Sequence, residues 1–387
     1  MGAQSDGRMH YEAALGLAYI GQTGCHSLLK LLAREGVLGV WQASATKLRE
    51  WGALPRVISL FESRRRAFQV EEVEAAMACS NVRFVPYGAP DYPKELNDLE
   101  LPPAGLFVRG PEELLARLST LPRVAIVGTR RATAYGKRAT EAFSTAFATG
   151  GIAVVSGMAL GIDSRAHVAA MEAGGLTAAV LGCGPDVVYP PRNRWLYNRI
   201  ASVGVVVSEM PPGAGPARWT FPHRNRILAA LGDAVLVTEA PRASGALQTV
   251  SWGLSLGRPV FSVPGPVLSD NHRGCNTLLY DGALPAVDPC VTVEDFLLQT
   301  RIQRQERQPR SAPRLGECQA DTQATLGGGC SAHSERVLGA LETGPASVDG
   351  LVGPTGLGVR ELTTVLARLE LAGVVRRAGP GIFVRAP

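Results

Sequence analysis

No stretch of this 387-residue chain reaches the ~18 uncharged apolar residues that a membrane span needs, and the start, "MGAQSDGRMHYE", has no basic-then-apolar signal pattern. A cytoplasmic protein without membrane contact is expected. The chain also has no C-x-x-C pair. Its seven scattered cysteines, an odd number, fit reduced and mostly buried thiols better than a disulfide framework or a zinc site. Neither a metal nor another cofactor is expected. A strong charge of one sign is missing as well: the net charge of +5 is modest for this length, so only a local concentration of arginine argues for a nucleic-acid partner.

Two nucleotide fingerprints fail where they are most nearly met. "RVAIVGTRRATAYGKRAT", residues 123–140, starts as a buried strand and almost spells a phosphate loop, but Gly128 and Gly136 are too far apart for a Walker A loop and Arg138 stands where the magnesium-binding hydroxyl belongs. The dinucleotide pattern G-x-G-x-x-G is missing after this strand, and "GCGPDVV" runs into Tyr-Pro-Pro instead of opening a helix. ATPase and NAD-binding readings therefore fail.

Present instead are six strand-like runs, "RVAIVG", "IAVVSG", "LTAAVLG", "VGVVVSE", "DAVLVTEA" and "PVFSVPG", alternating with helical segments. Continuous apolar strands of this kind are buried on both faces, which predicts an α/β fold with a Rossmann-like, doubly wound, mostly parallel sheet. Before it, from Ala13 to about Ala78, apolar residues recur at helical spacing and predict a small helical domain. Its "IGQTG" turn reads either as a helix-hairpin-helix element offering amides to phosphate or as a glycine turn in a bundle. After the sheet, 301–330 has no periodicity and reads as a linker. The tail predicts three helices and a hairpin, a winged helix that either binds DNA or docks a protein; its third helix sets Arg360 and Arg368 against Glu361 and Glu370. The expected domains are 1–84, 85–300, the linker 301–330, and 331–387.

A doubly wound sheet binds its ligand at the carboxyl ends of its strands, where helix N-termini favour anions. Gly128, Thr129 and Arg130 follow the first of the six strands. Arg192 and Arg194 follow the third, and Arg218, Arg224, Asn225 and Arg226 follow the fourth. A single nucleotide needs two or three such groups, so this many arginines along one edge fit a polyanionic strand, with Tyr189, Trp195, Trp219 and Phe221 available for stacking on bases. The rival reading is an N-glycosidic hydrolase using Glu209 and Glu239 beside Ser244, with Asp163 and His167 as either catalytic groups or a capping and packing pair. It resembles the nucleotide-monophosphate phosphoribohydrolases, but their P-G-G-x-G-T turn is replaced here by "VPGPVLSDNHRG".

The segments "YPKELNDLELPPAGLFVRG", "VAIVGTRRATAYG", "VVSGMALGIDSRAH", "GCGPDVVYPPRN", "SEMPPG", "FPHRNRILAAL", "TEAPRASGALQT", "GRPVFSVPG" and "GCNTLLYDGA" occur in one order over roughly 85–300. In that order they resemble the DNA processing protein A (DprA/Smf) family. The resemblance implies a non-enzymatic protein that binds single-stranded DNA in natural transformation, protects incoming strands and loads RecA recombinase. It also implies a homodimer, with single-strand binding protein as a further partner. Carried over by position, the strand-binding groups are Gly128, Thr129, Arg130, Ser156, Gly157, Arg192, Arg218, Phe221, Arg224 and Asn225. Two of these positions often carry lysine in the family, where this chain has arginine. The helical start resembles the family's sterile-alpha-motif-like domain and the tail its winged helix.

Overall fold

The computed structural model describes residues 2–307, 330–342, 344–358, 362, 365–366, 369, 374–379 and 382–385. The chain forms two compact units, 1–309 and 310–387. In the first, α1 (Gly2–Ile20), α2 (Leu32–Gln42), α3 (Ala45–Glu50), α4 (Pro55–Ala67) and α5 (Val70–Cys79) bury Leu15, Val40 and Phe61 in a helical core, joined by Leu28 of the 3-10 turn His26–Leu31. That core is not closed by helices alone. Phe84 of β1 (Arg83–Pro86) and Phe107 of β2 (Gly105–Arg109) enter it, with ring centroids 4.9 Å apart, while Val85, Leu106 and Val108 point into the core under the sheet. The boundary expected after residue 84 thus falls inside a strand, because alternate side chains of one hairpin serve two layers.

Helix α6 (Glu112–Thr120) leads into the expected strands: β3 (Arg123–Gly128), β4 (Ala153–Ser156), β5 (Thr177–Leu181), β6 (Val205–Ser208), β7 (Ala234–Glu239) and β8 (Val260–Ser262), with the short β9 (Leu284–Pro285) beyond them. The sheet order is β1-β2-β6-β5-β4-β3-β7-β8-β9, parallel from β6 to β9 and antiparallel where β1 and β2 join. Crossover helices α7 (Ala134–Thr149), α8 (Ile162–Glu172) and α9 (Arg194–Val203) connect β3 through β6 in turn, and α10 (Thr220–Leu231), α11 (Ala246–Ser255) and α12 (Arg273–Tyr280) connect β6 through β9. Side chains of one strand part to the two faces: Val124 and Ile126 meet Phe143 and Phe147 of α7, while Ala125 and Val127 join the core with Ile227, Leu228 and Leu231 of α10. Burial on both sides is why these strands read as unbroken apolar runs, each large side chain contributing about 1.5–3 kcal/mol.

The chain reverses direction of travel between β3 and β7, which makes the carboxyl ends of that pair the topological switch point. Helix α13 (Pro289–Arg307) carries Phe296 against Phe147, ring centroids 5.4 Å apart. It extends seven residues into the stretch expected to be linker; residues 308–329 of that stretch lie outside the described residues. Anchoring by Phe296 explains the difference, since a helix seeded on a buried face propagates past it. The second unit has α14 (Cys330–Leu341), α15 (Val348–Thr355) and a three-stranded sheet ordered β10 (Ala346–Ser347), β12 (Ile382–Arg385), β11 (Val375–Gly379). Val337, Leu351, Leu362, Leu366 and Phe383 form its core, as a winged helix requires. Arg360, Arg368, Glu361 and Glu370 lie outside the described residues. Among those described, no helix is long and apolar enough to cross a membrane.

Candidate functional site

At the switch point the Gly128-Thr129-Arg130 turn is pinned from two sides. The Thr129 N–H donates to the Glu239 carbonyl at the end of β7 (2.8 Å), and the Thr129 carbonyl accepts from the Ile162 N–H at the start of α8 (3.2 Å). Only glycine fits the corner at Gly161: its φ is +85°, and a Cβ there would lie 2.4 Å from the Thr129 carbonyl oxygen. With its neighbour fixed, Arg130 projects into solvent, its guanidinium 5.8 Å from the Phe221 ring centroid. Phe221 in turn lies 5.2 Å from Tyr189 at an interplanar angle of 37°. These groups, with Arg218, Asn225 and the start of α11, line a cleft of about 550 Å³. Arg130 and Arg218 are both exposed, and among the described residues neither enters an ion pair. Two exposed cations beside two half-buried aromatic rings suit an anionic chain with flat substituents.

Beneath them Arg224 is buried. Its Nη1 donates to the Gly157 carbonyl (2.9 Å) and to the Val180 carbonyl, and its Nε donates to Asn225 Oδ1 (3.2 Å). Asp163 faces the same cleft and accepts from the Ala159 N–H at 3.3 Å. A Cβ on Gly157 would come within 2.7 Å of both the Asp163 carboxylate and the Arg224 guanidinium, so the glycine is what lets both groups stand beside this turn. Burial pushes the Asp163 carboxyl up to about 6 against the opposing pull of Arg224. Protonation there removes a negative charge from the wall of an anion site. Oligonucleotide affinity should therefore rise by several-fold as the pH falls from about 8 to about 5, and Asp163→Asn should bind at the higher pH as tightly as the wild type at the lower. Anisotropy titrations at fixed ionic strength read this, and a flat wild-type profile contradicts it.

Several expected groups do other work. Ser156 is fully buried, its Oγ donating to the Ile126 carbonyl at 2.7 Å, a tie between adjacent strands. Arg226 is 1% exposed and does not line the cleft; its Nη2 donates to both Glu209 oxygens (2.6 and 2.5 Å) and its Nη1 to the Leu101 carbonyl (2.7 Å). It sits two residues after Arg224 on α10, where a helix turns it away from the strand edge. Arg192, in the 3-10 turn Pro191–Asn193, and Arg194, the first residue of α9, are exposed but do not line the cleft. Gly157 serves through its carbonyl and its missing side chain. The amides at the start of α7 do not open onto the cleft either: Glu239 Oε2 accepts from the Thr133 N–H (2.9 Å) and Oγ1 (3.1 Å), so an internal carboxylate already neutralises that helix end.

The rival reading loses its carboxylates to these contacts, since Glu209 and Glu239 are both buried, internally bonded and absent from the cleft lining. His167 is fully buried with Nδ1 2.7 Å from Thr177 Oγ1, and burial draws it down to about 3, which makes it a packing group. The "IGQTG" turn is a π-helical turn over Gly21–Cys25 that continues α1, so its amides are engaged in the helix. Trp195 and Trp219 are about half exposed. Sequence reasoning offered Ser244 only to the hydrolase reading and missed that Pro241–Thr249 lines the cleft, with Ser244, Gly245 and Gln248 forming the opposite wall. Its signal was available in "PRASGALQT", a small-residue helix start after a strand, but only the sheet order sets β7 beside β3.

Fold and cleft together define a Rossmann-like protein with an arginine-lined cleft at its switch point, together with a winged helix. The family model for DNA recombination-mediator protein A matches residues 83–297, and that for the DprA winged helix domain matches 319–381. Protein Smf of Synechocystis is 35% identical over 325 residues, covering 78% of this chain and 79% of that protein; Protein Smf of Escherichia coli is 34% identical over 306 residues, covering 79% and 78%. The X-ray structure of DNA processing protein A from Streptococcus pneumoniae superposes with a TM-score of 0.64 at 30% identity, covering 74% of this chain and 96% of that one. Helicobacter pylori DNA processing protein A, solved for its single-stranded DNA binding mode, gives 0.51 at 30% identity, covering 57% and 98%. This chain belongs to the DNA processing protein A (DprA/Smf) family.

Proposed function

We propose that this protein binds single-stranded DNA along the β3–β7 cleft, protects incoming strands and loads RecA recombinase onto them in natural transformation. The observation that carries the reading is that two exposed arginines, Arg130 and Arg218, which enter no ion pair among the described residues, share one cleft with the half-buried Phe221 and Tyr189 rings. Phosphate contacts carry no sequence information and stacking accepts any base, so binding is sequence-tolerant and salt-dependent. The single-stranded DNA binding of the Helicobacter relative supports the same ligand. RecA loading, single-strand binding protein as a partner and action in the cytoplasm rest on family membership. Self-association draws support from Val267, Leu268, Tyr280 and Val287, apolar residues 70–93% exposed on the segments around β8 and edge strand β9. The winged helix is read as an accessory module, acting by binding rather than by catalysis.

A chain ending at residue 309 tests the placement. The cut follows α13 because ending at 299 would remove its last turns, although Phe296 would remain. The shortened protein should fold, bind oligothymidylate within about threefold of the full chain, prefer it to duplex, and release no base from a nucleotide monophosphate. Loss of most single-strand affinity would put the winged helix in the primary site, and base release would restore the hydrolase reading.

A further inference from the structure

The segment that carries Arg218 leaves β6 as "EMPPGAGPARW", rich in proline and glycine and without regular structure. Its first half is anchored: the Gly213 N–H donates to both Asp186 oxygens (2.9 and 3.0 Å), and the Gly184 N–H donates to the Ala214 carbonyl (2.8 Å). Its second half, 215–218, is largely exposed and is held where Thr220 Oγ1 donates to the Ala217 carbonyl (2.8 Å) and where Trp219 meets the helical layer. Trp219 meets His26 edge-on, with ring centroids 5.5 Å apart at 82°, and His26 meets His223 of α10 at 4.6 Å and 76°. Gln22 braces the contact from below, its Nε2 donating to the Glu209 carbonyl (3.2 Å) while its Oε1 lies 3.3 Å from His26 Nε2. His223 is fixed in turn by Arg226 Nη2, which donates to its Nε2 at 2.9 Å, with Glu209 Oε2 3.3 Å away.

We propose that His26 is a positioning residue for the strand site: by holding Trp219 it sets where the neighbouring Arg218 guanidinium stands, so the N-terminal helical layer shapes the cleft without touching the strand. The proposal rests on the single-strand reading above. It also gives the "GQTGCH" turn a role: open between a phosphate element and a glycine turn in the sequence, it acts as a brace of the strand site. Burial and the nearby His223 draw His26 down to about 4, with Arg226 adding to the effect and Glu209 opposing it, so the ring is neutral at physiological pH. Replacing it by a neutral side chain leaves the charge facing DNA unchanged.

The test is a double-mutant cycle on the full chain, read by anisotropy of a labelled oligothymidylate, with melting curves for every variant. His26→Ala should weaken binding by roughly tenfold, a scale ordinary for residues coupled through contact. His26→Phe, which keeps an edge-on ring, should restore most of it. In an Arg218→Ala background His26→Ala should cost little more, because the group it positions is gone. If alanine compromises folding, His26→Gln supplies the same comparison. Wild-type affinity in His26→Ala, or an equal loss with and without Arg218, overturns the proposal. Should Arg218→Ala weaken binding while His26→Ala does not, only this inference falls; wild-type affinity in Arg218→Ala itself defeats both it and the placement of the strand.

Discussion

Arg130→Ala and Arg218→Ala should each weaken single-stranded oligonucleotide binding between about tenfold and a hundredfold, and the double variant should leave little specific affinity. Hydrogen bonds to charged groups are worth roughly 1.5–3 kcal/mol, which is that range of equilibrium constant. Each lost phosphate contact should also lower the slope of log affinity against log salt by about 0.7 for a single strand. Neither change should move the melting transition. Both side chains are exposed and neither supports the core, so their removal belongs with surface substitutions of small effect on stability. Affinity near wild type in both variants, with slopes unchanged, would place the strand elsewhere.

Arg226→Ala should behave in the opposite way, destabilising the fold by about 3–5 kcal/mol because it leaves the Glu209 carboxylate buried and uncompensated. Burial raises the cost of that carboxylate's charge, and the Arg226 guanidinium and His223 together outweigh it, holding the group below the usual carboxylate range. Glu209→Ala should do similar damage from the other side, whereas replacing both residues by apolar groups of similar size should recover much of the loss. Chemical denaturation of the four proteins measures this. A variant lacking Arg226 that melts like the wild type yet fails to bind DNA would return Arg226 to the strand-binding set.

The contrast between these arginines shows what pattern reading can reach. "RNR" in "FPHRNRILAAL" offers three polar residues in a row after a strand, and nothing in one dimension distinguishes them. On α10 each step turns the side chain through about 100°, so Arg224 lies under the cleft, Asn225 lines it and Arg226 points to Glu209. The same limit hid the role of Glu239, which looks like a catalytic carboxylate at a strand end and is a buried cap for α7. It also hid the wall formed by Pro241–Thr249, which comes from a strand 111 positions after β3 has begun.

Local chemistry was enough to establish the doubly wound sheet, the helical layer before it and the arginine-bearing turn at Gly128-Thr129-Arg130. Buried strands must be continuously apolar, helices must carry a 3.6-residue apolar repeat, and a tight turn must carry glycine, so each leaves its mark within a few residues. Strand order, the hairpin of β1 and β2 that fuses two layers, and the contact of His26 with Trp219 were decided by tertiary structure alone. Those features depend on which distant surfaces share a core, and that choice is made by burial and packing between segments from tens to nearly two hundred residues apart, where no local pattern records it.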